Sequence, residues 1–284
     1  MHQHPEGLLA DLPILLAQQQ RRRRLLTLSA GLLLAGCGGG GSDGGGTAAT
    51  PAPSPSPAPS PAPSPTPSSC ALIPEETAGP YPGDGSNSAG GQIANALALS
   101  GIVRQDMRRS IAGASGLAEG VPLTLTLQLV NANGGCANLA DYAVYLWHCD
   151  REGRYSMYSS GVTGENYLRA VQVSGSDGRL SFLTIFPGCY DGRMPHMHFE
   201  VFRSSAQATS FANKIRTSQI AFPTDVCTSI YNNAAGYTAS RTNFARISFA
   251  TDNVFSDGTT LQLASVGGDL TNGYQATLVV GVGG

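Results

Sequence analysis

The sequence predicts an all-β protein, an antiparallel β-sandwich whose chemistry sits on loops and strand ends. Three observations carry this. Short β-type runs recur between turn signals from about residue 70 onward. No helical period is sustained for more than about two turns. The chain of 284 residues has 36 glycines and only 13% charged residues, which suits a β-rich exported domain better than a helical one.

Residues 1–36 read as a signal peptide: Arg21 to Arg24 precede the apolar stretch LLTLSAGLLLAG, which is too short to span a bilayer. The small residues of LLAGC, ending at Cys37, resemble the lipobox of bacterial lipoproteins, which implies lipidation of Cys37 as the mature N-terminus. Four arginines followed by two leucines also resemble a twin-arginine export signal, which would suit a protein that takes up a metal before export; Sec and Tat routes both stay open. Residues 37–69 follow as a Gly-rich piece and the Pro/Ser tract PAPSPSPAPSPAPSPTPSS, a tether with nothing to bury. The expectation is export and lipid anchoring to the bacterial envelope, at the outer membrane or cell surface, with residues 70–284 as an extracytoplasmic catalytic domain.

Removing residues 1–36 leaves 13 basic and 17 acidic residues, a balance that attracts no nucleic acid. Five cysteines remain after Cys37: Cys70, Cys136, Cys149, Cys189 and Cys227. An exported location permits disulfides, and the odd number requires a free thiol or a pairing between chains.

In the folded part, VPLTLTLQLV alternates strictly and reads as a half-buried strand. YAVYLWHC, LRAVQV, RLSFLTIF, HMHFEVF, TSQIAF, TLQLAS and YQATLVVGV follow as further strands, and DVCTSIYNNAA is the best helix candidate. The core is expected to be antiparallel.

The chemistry gathers in PGCYDGRMPHMHFEV, which places Tyr190, Arg193, His196 and His198 within nine positions. After residue 36 the chain has only three histidines, His148, His196 and His198. Side chains at i and i+2 of a strand share a face, so His196 and His198 would converge on one point, as metal ligands do. An isolated H-x-H pair is as often a hydrogen-bonded pair, and when it holds a metal it is often zinc.

The wider pattern resembles the intradiol ring-cleavage dioxygenases, non-haem Fe(III) enzymes that open catechols between their two hydroxyl-bearing carbons. The resemblance rests on Trp147-His148, GRY ending at Tyr155, YLRAVQV, SDGRLSFLTIFPGCY ending at Tyr190, and RMPHMHFEV. ETAGPY and TSQIAF extend it over roughly 70–282, and it looks closest to the exported branch of the family. It implies a transthyretin-like sandwich with a loop-borne site in which Tyr155, Tyr190, His196 and His198 hold Fe(3+). It further implies that Tyr190 doubles as a base, that Arg193 stabilises negative charge on the substrate, and that Gln219 and Tyr81 line the pocket. The implied partners are a small aromatic diol and O2, and the implied product is a muconate-type diacid. Two phenolates suit a trivalent cation, which favours ionised phenol despite a reference pKa of about 10.

His148 falls outside that ligand set and reads as structural. Cys149 and Cys189 flank the site, so a disulfide bracing it and a free thiol are both open. Arg169 and Gln172 are equally explained by a polar face on an edge strand. Pro82 stands where the family commonly has a second tyrosine. Two rival readings remain. One is a non-catalytic β-sandwich lipoprotein that binds a partner or saccharide; the other is a zinc hydrolase, for which Glu200 is the only neighbouring carboxylate. The identity of the diol and the oligomeric state are not legible.

Overall fold

A computed structural model describes residues 70–284; the expected signal peptide, the Cys37 lipidation site and the 37–69 linker lie outside the described residues. The strands in chain order are β1 (Asp84–Ala89), β2 (Gln92–Asn95), β3 (Pro122–Asn131), β4 (Ala137–Asn138), β5 (Ala143–Trp147), β6 (Arg169–Val173), β7 (Arg179–Ile185), β8 (His196–Phe202) and β9 (Arg216–Ala221). Helices α1 (Thr224–Asn233) and α2 (Thr238–Phe244) follow, then β10 (Ser265–Asp269) and β11 (Gly273–Val282). Among the described residues no helix is long and apolar enough to cross a membrane.

Two sheets face each other. One runs β10-β11-β3-β4 with β7 also paired to β3; the other runs β6-β5-β8-β9. The alternation in β3 has the expected meaning, because Leu123, Leu125, Leu127 and Leu129 point into the sandwich and the threonines between them do not. They meet Val144 and Leu146 of β5, Met197, Phe199 and Val201 of β8, and Val280 of β11. Burial of each large apolar side chain there contributes about 1.5–3 kcal/mol.

Every pair follows the expected antiparallel pattern except one: β11 runs parallel to β3 from Tyr274↔Leu123 to Val282↔Asn131. A parallel partner needs a long crossover, and the chain between β3 and β11 contains the whole of the second sheet and both helices. TLQLAS is not a strand, a second departure from expectation. Residues 260–262 form a turn and only Ser265 joins β10; the polar Gln262 is buried and Leu263 is exposed, and the Gln262 amide donates to Glu76 Oε1 and to the Gln219 main-chain carbonyl, each at 3.3 Å. The β1–β2 hairpin, β4, most of β10 and helix α2 carry too little apolar periodicity to be read beforehand.

Helix α1 forms where DVCTSIYNNAA suggested one, burying Cys227, Ile230 and Tyr231 on a single stripe. Its Tyr231 hydroxyl donates to the Pro187 carbonyl at 2.9 Å, and that of Tyr237 donates to the Phe186 carbonyl at 2.8 Å, so the helical pair braces the loop after β7. Cys70 and Cys136 form a disulfide that ties the start of the domain to the β3–β4 turn. Cys149, Cys189 and Cys227 are free and buried, so no disulfide braces the site.

A second, smaller apolar cluster covers the other face of the β6-β5-β8-β9 sheet, built from Tyr145, Trp147, Val171 and Phe202 together with Tyr155, Ala96 and Leu97 from connecting segments. That covered outer face carries the candidate site.

Candidate metal centre

Strand β8 sends His196 and His198 to the outer face, while Met197 between them enters the sandwich. His198 lies opposite Trp147 on β5 and Gln219 on β9. The indole of Trp147 stacks on the His198 ring at 5.0 Å with the planes 4° apart. Gly79, at φ +66°, covers His198 from above; a Cβ there would come within 3.3 Å of the imidazole Cε1.

His196 Nδ1 lies 2.6 Å from the Met194 carbonyl oxygen. A carbonyl only accepts, so Nδ1 carries the proton and Nε2 presents its lone pair. That Nε2 faces His198 Nε2 at 3.0 Å and the Tyr190 hydroxyl at 3.4 Å. Burial pushes both imidazoles well below the usual histidine range, with the Arg193 cation adding to the effect on each. Neutral imidazole is the form that binds a metal.

Tyr155 is delivered by a tight turn after β5. The Asp150 carboxylate accepts from the Glu152 and Arg154 backbone N–H groups at 2.9 and 3.0 Å, and from the Arg154 side chain at 3.0 Å. Gly153, at φ +84°, lets the turn pack on Tyr190, whose Cβ would lie 3.1 Å from an added methyl. The Tyr155 ring is buried, edge-on to Tyr190 at 5.8 Å and to His198 at 6.3 Å. Tyr190 comes from the loop after β7, where α2 holds the neighbouring Cys189 on both sides. Ser240 Oγ accepts its N–H at 2.9 Å and Asn243 donates to its carbonyl at 2.9 Å.

Arg193 is fully buried and held at several points. Its Nε donates to Asp252 Oδ2 at 3.0 Å, its Nη2 donates to Gln219 Oε1 at 2.7 Å, and its Nη1 lies 3.5 Å from the Tyr190 hydroxyl. Gln219 in turn donates to the Thr77 carbonyl at 2.9 Å, joining β9 to the ETAGPY segment. Tyr81 packs on Tyr155 at 4.9 Å and on Tyr158 at 5.3 Å, half-buried at the rim and in contact with the cluster through Tyr155.

All seven residues singled out in the sequence for the metal, the chemistry and the pocket are thus brought to one place. Asp252, Phe255, Trp147 and Gly79 join them without having been singled out for the site. Of the two readings left open for Arg169, the polar edge face is overturned: the side chain is a buried staple, donating to the carbonyls of Pro82, Tyr81 and Ser156 at 2.6, 3.0 and 3.0 Å. His148 is structural, its Nε2 2.7 Å from Thr184 Oγ1 and its Nδ1 2.8 Å from the Cys149 carbonyl. Glu200 shares the face of the histidines but is committed to Lys214 at 2.6 Å, which removes the carboxylate that a zinc hydrolase would need.

Among the described residues no group of three or more His, Cys, Asp and Glu side chains is arranged to hold a metal. Any ion bound here therefore relies on the phenol oxygens of Tyr155 and Tyr190 beside the two imidazole nitrogens. Such a set of hard oxygen and borderline nitrogen donors fits a trivalent iron and lacks the thiolates or carboxylates usual for zinc.

A family model described as Dioxygenase, the C-terminal dioxygenase model, matches residues 101–233. The computed structure superposes on the intradiol ring-cleavage dioxygenase from Tetranychus urticae with a TM-score of 0.52, at 23% identity, covering 65% of this chain and 88% of that one. The fold is that of the intradiol ring-cleavage dioxygenases. The dioxygenase domain of a carbohydrate-binding fusion protein from Streptomyces sp. SirexAA-E aligns at 21% identity over 74% of this chain and 96% of that one, with a TM-score of 0.45. No curated protein sequence matches the chain. Within the intradiol ring-cleavage dioxygenase fold, the matched segment contains Tyr155, Tyr190, Arg193, His196, His198 and Gln219, whereas Tyr81, Asp252 and Phe255 lie outside it.

Proposed function

We propose that this chain is a non-haem Fe(III) dioxygenase that opens catechol-type diols between their two hydroxylated carbons with O2, giving muconate-type diacids. The observation that carries the reading is the His196 tautomer. With Nδ1 donating to Met194, the Nε2 lone pair is aimed at the point where His198 Nε2 and the Tyr190 oxygen also arrive, 3.0 and 3.4 Å away. Tyr155, Tyr190, His196 and His198 would hold the ion.

When bound, Fe(III) would supply Lewis acidity that lowers the electron density of the diol oxygens and makes the ring open to O2. The chain's own residues would do the rest. Of the four donors only Tyr190 is half-exposed, the other three being at most 2% accessible, so Tyr190 stands on the side from which a diol arrives. Its phenol oxygen would take one of the diol's protons. Arg193, a permanent cation beside that oxygen, would stabilise negative charge on the bound diol, and Gln219 Oε1 fixes the guanidinium plane. Tyr81 and Tyr158 would close the rim against water.

The same proposal places the domain outside the cytoplasm, tethered through Cys37. The arginine-led apolar segment supports this, as does the Cys70–Cys136 disulfide, a bond that persists in oxidising compartments.

Purified protein given iron is expected to show the visible charge-transfer colour of tyrosinate bound to Fe(III), and to consume oxygen with at least one member of a catechol panel, releasing a diacid. A well-folded preparation that stays colourless with iron and leaves every diol intact would overturn the proposal.

A further inference from the structure

We infer that Asp252 is a positioning residue for this centre: it aims the Arg193 guanidinium at Tyr190 and holds His196 in the tautomer that offers Nε2 outward. The inference rests on reading the site as a metal centre, and it concerns a residue beyond the segment that the dioxygenase family model matches.

Asp252 is 0% exposed and uses both carboxylate oxygens. Oδ1 accepts from the backbone N–H groups of Val254 and Phe255, at 2.8 and 3.0 Å, a local turn that fixes the carboxylate in place. Oδ2 points the other way, across 58 and 59 residues of sequence. It accepts from the Met194 N–H at 2.7 Å and from Arg193 Nε at 3.0 Å. A carboxylate needed only to close its own turn would make the first pair of bonds and not the second.

The two long-range bonds act on two different parts of the site. With Nε held by Asp252 and Nη2 by Gln219, the guanidinium cannot rotate, and its Nη1 edge is kept 3.5 Å from the Tyr190 oxygen. The bond to the Met194 N–H fixes the residue whose carbonyl accepts the His196 Nδ1 proton. Loss of that anchor frees the carbonyl, and the imidazole proton can then move to Nε2, where it blocks metal binding. The same turn sets the Phe255 ring beneath Arg193 at 5.9 Å and edge-on to His196 at 6.4 Å.

The test compares the wild-type chain with Asp252→Asn, Arg193→Lys and the double variant. In metal-free protein, imidazole nitrogen shifts measured by NMR report the His196 tautomer directly. The wild type is expected to show Nδ1–H, and Asp252→Asn a mixture or Nε2–H. In iron-loaded protein, Asp252→Asn is expected to lower kcat/KM for catechol about 10–100-fold. The double variant should lose less than the product of the two single losses, since both act through the same guanidinium. An unchanged tautomer in Asp252→Asn, or losses that multiply, would overturn the inference. Should Asp252→Asn fail to fold, Arg193→Lys still decides, because it leaves the Asp252–Met194 bond intact and must retain Nδ1–H; loss of Nδ1–H there counts against Asp252. The nitrogen shifts need no iron. A colourless, inactive wild type would therefore sink the dioxygenase reading, while the shifts still judge Asp252.

Discussion

The two faces of strand β8 are equally dry and do opposite work. Met197, Phe199 and Val201 point into the sandwich with 0% exposure, and His196, His198 and Glu200 point outward with 2%, 2% and 0%. Burial alone does not tell them apart; partners do. The inner three need only apolar neighbours, whereas each outer group is a polar side chain whose removal from water costs free energy unless something replaces the water. His198 lies between the Trp147 indole and Gly79, His196 donates to Met194, and Glu200 accepts from Lys214. The inner face is where stability comes from, and the outer face is where that stability is drawn on to hold two neutral imidazoles beside a buried cation.

Breaking the outer face should show this most sharply. His198→Ala is expected to abolish the iron-dependent colour and lower diol turnover by on the order of 10⁴-fold, equivalent to about 5 kcal/mol. The metal-free protein should lose less stability from it than from the inner-face change. Absorbance on iron addition and thermal melting of the metal-free chain check the two halves separately. Phe199→Ala, one position along, should reverse the pattern. It is expected to cost about 4 kcal/mol of unfolding free energy through the cavity it leaves, while the fraction still folded binds iron normally. Urea titration followed by iron binding on the folded population measures both.

This division was partly legible beforehand. The period of two in HMHFEVF is enough to put the histidines on one face, and the motif resemblance brought in Tyr155, Tyr190, Arg193 and Gln219. What the sequence could not offer was the partner of a buried polar group. Asp252 sits in FATDNVF, where an aspartate that accepts from the backbone N–H groups two and three residues on is readable as a turn, but nothing local says that its other oxygen meets Arg193. TLQLAS misled for the same reason. Its alternation looks like a strand, yet the side chains it buries are the small Ala264 and the polar Gln262, for which Glu76 and the Gln219 main-chain carbonyl supply the hydrogen-bond partners. Arg169 stayed open between a motif match and a polar edge face because two of its acceptors are backbone carbonyls 87 and 88 residues away, which no composition or periodicity encodes.

The outer face should also set the acid limit of the metal-free protein. Burial lowers His148 from 6.5 to about 4 and pushes His196 and His198 well down, so all three are neutral when folded and take up protons when unfolded. Stability is therefore complete above about pH 6.5 and is lost as pH falls toward the folded values, each titrating histidine adding about 1.4 kcal/mol per pH unit. His148 alone accounts for about 3 kcal/mol by the time its folded value of about 4 is reached. His148→Gln should make the acid side of the stability profile shallower by one proton. An unchanged slope would mean that His148 is already charged in the fold.

Glu200 gives the smallest effect and the opposite sign. Burial raises its carboxyl from 4.5 to about 8 despite the Lys214 ammonium, so the folded state keeps a proton that the unfolded chain gives up. Its contribution is complete below about pH 4.5 and declines as pH rises toward 8. Between pH 6.5 and 7.5 the histidines of the unfolded chain still titrate in every variant, so the effect of Glu200 is read as a difference: the stability of the wild-type protein less that of Glu200→Gln should fall by about 1 kcal/mol. Glu200→Gln keeps an oxygen for Lys214 and has no proton to lose, so only the histidines shape its profile there. Denaturant titrations at the two pH values read the difference. Wild-type and variant profiles that run parallel would mean that Glu200 is ionised against Lys214, and that the outer face of β8 carries an ion pair two residues from the histidine cluster.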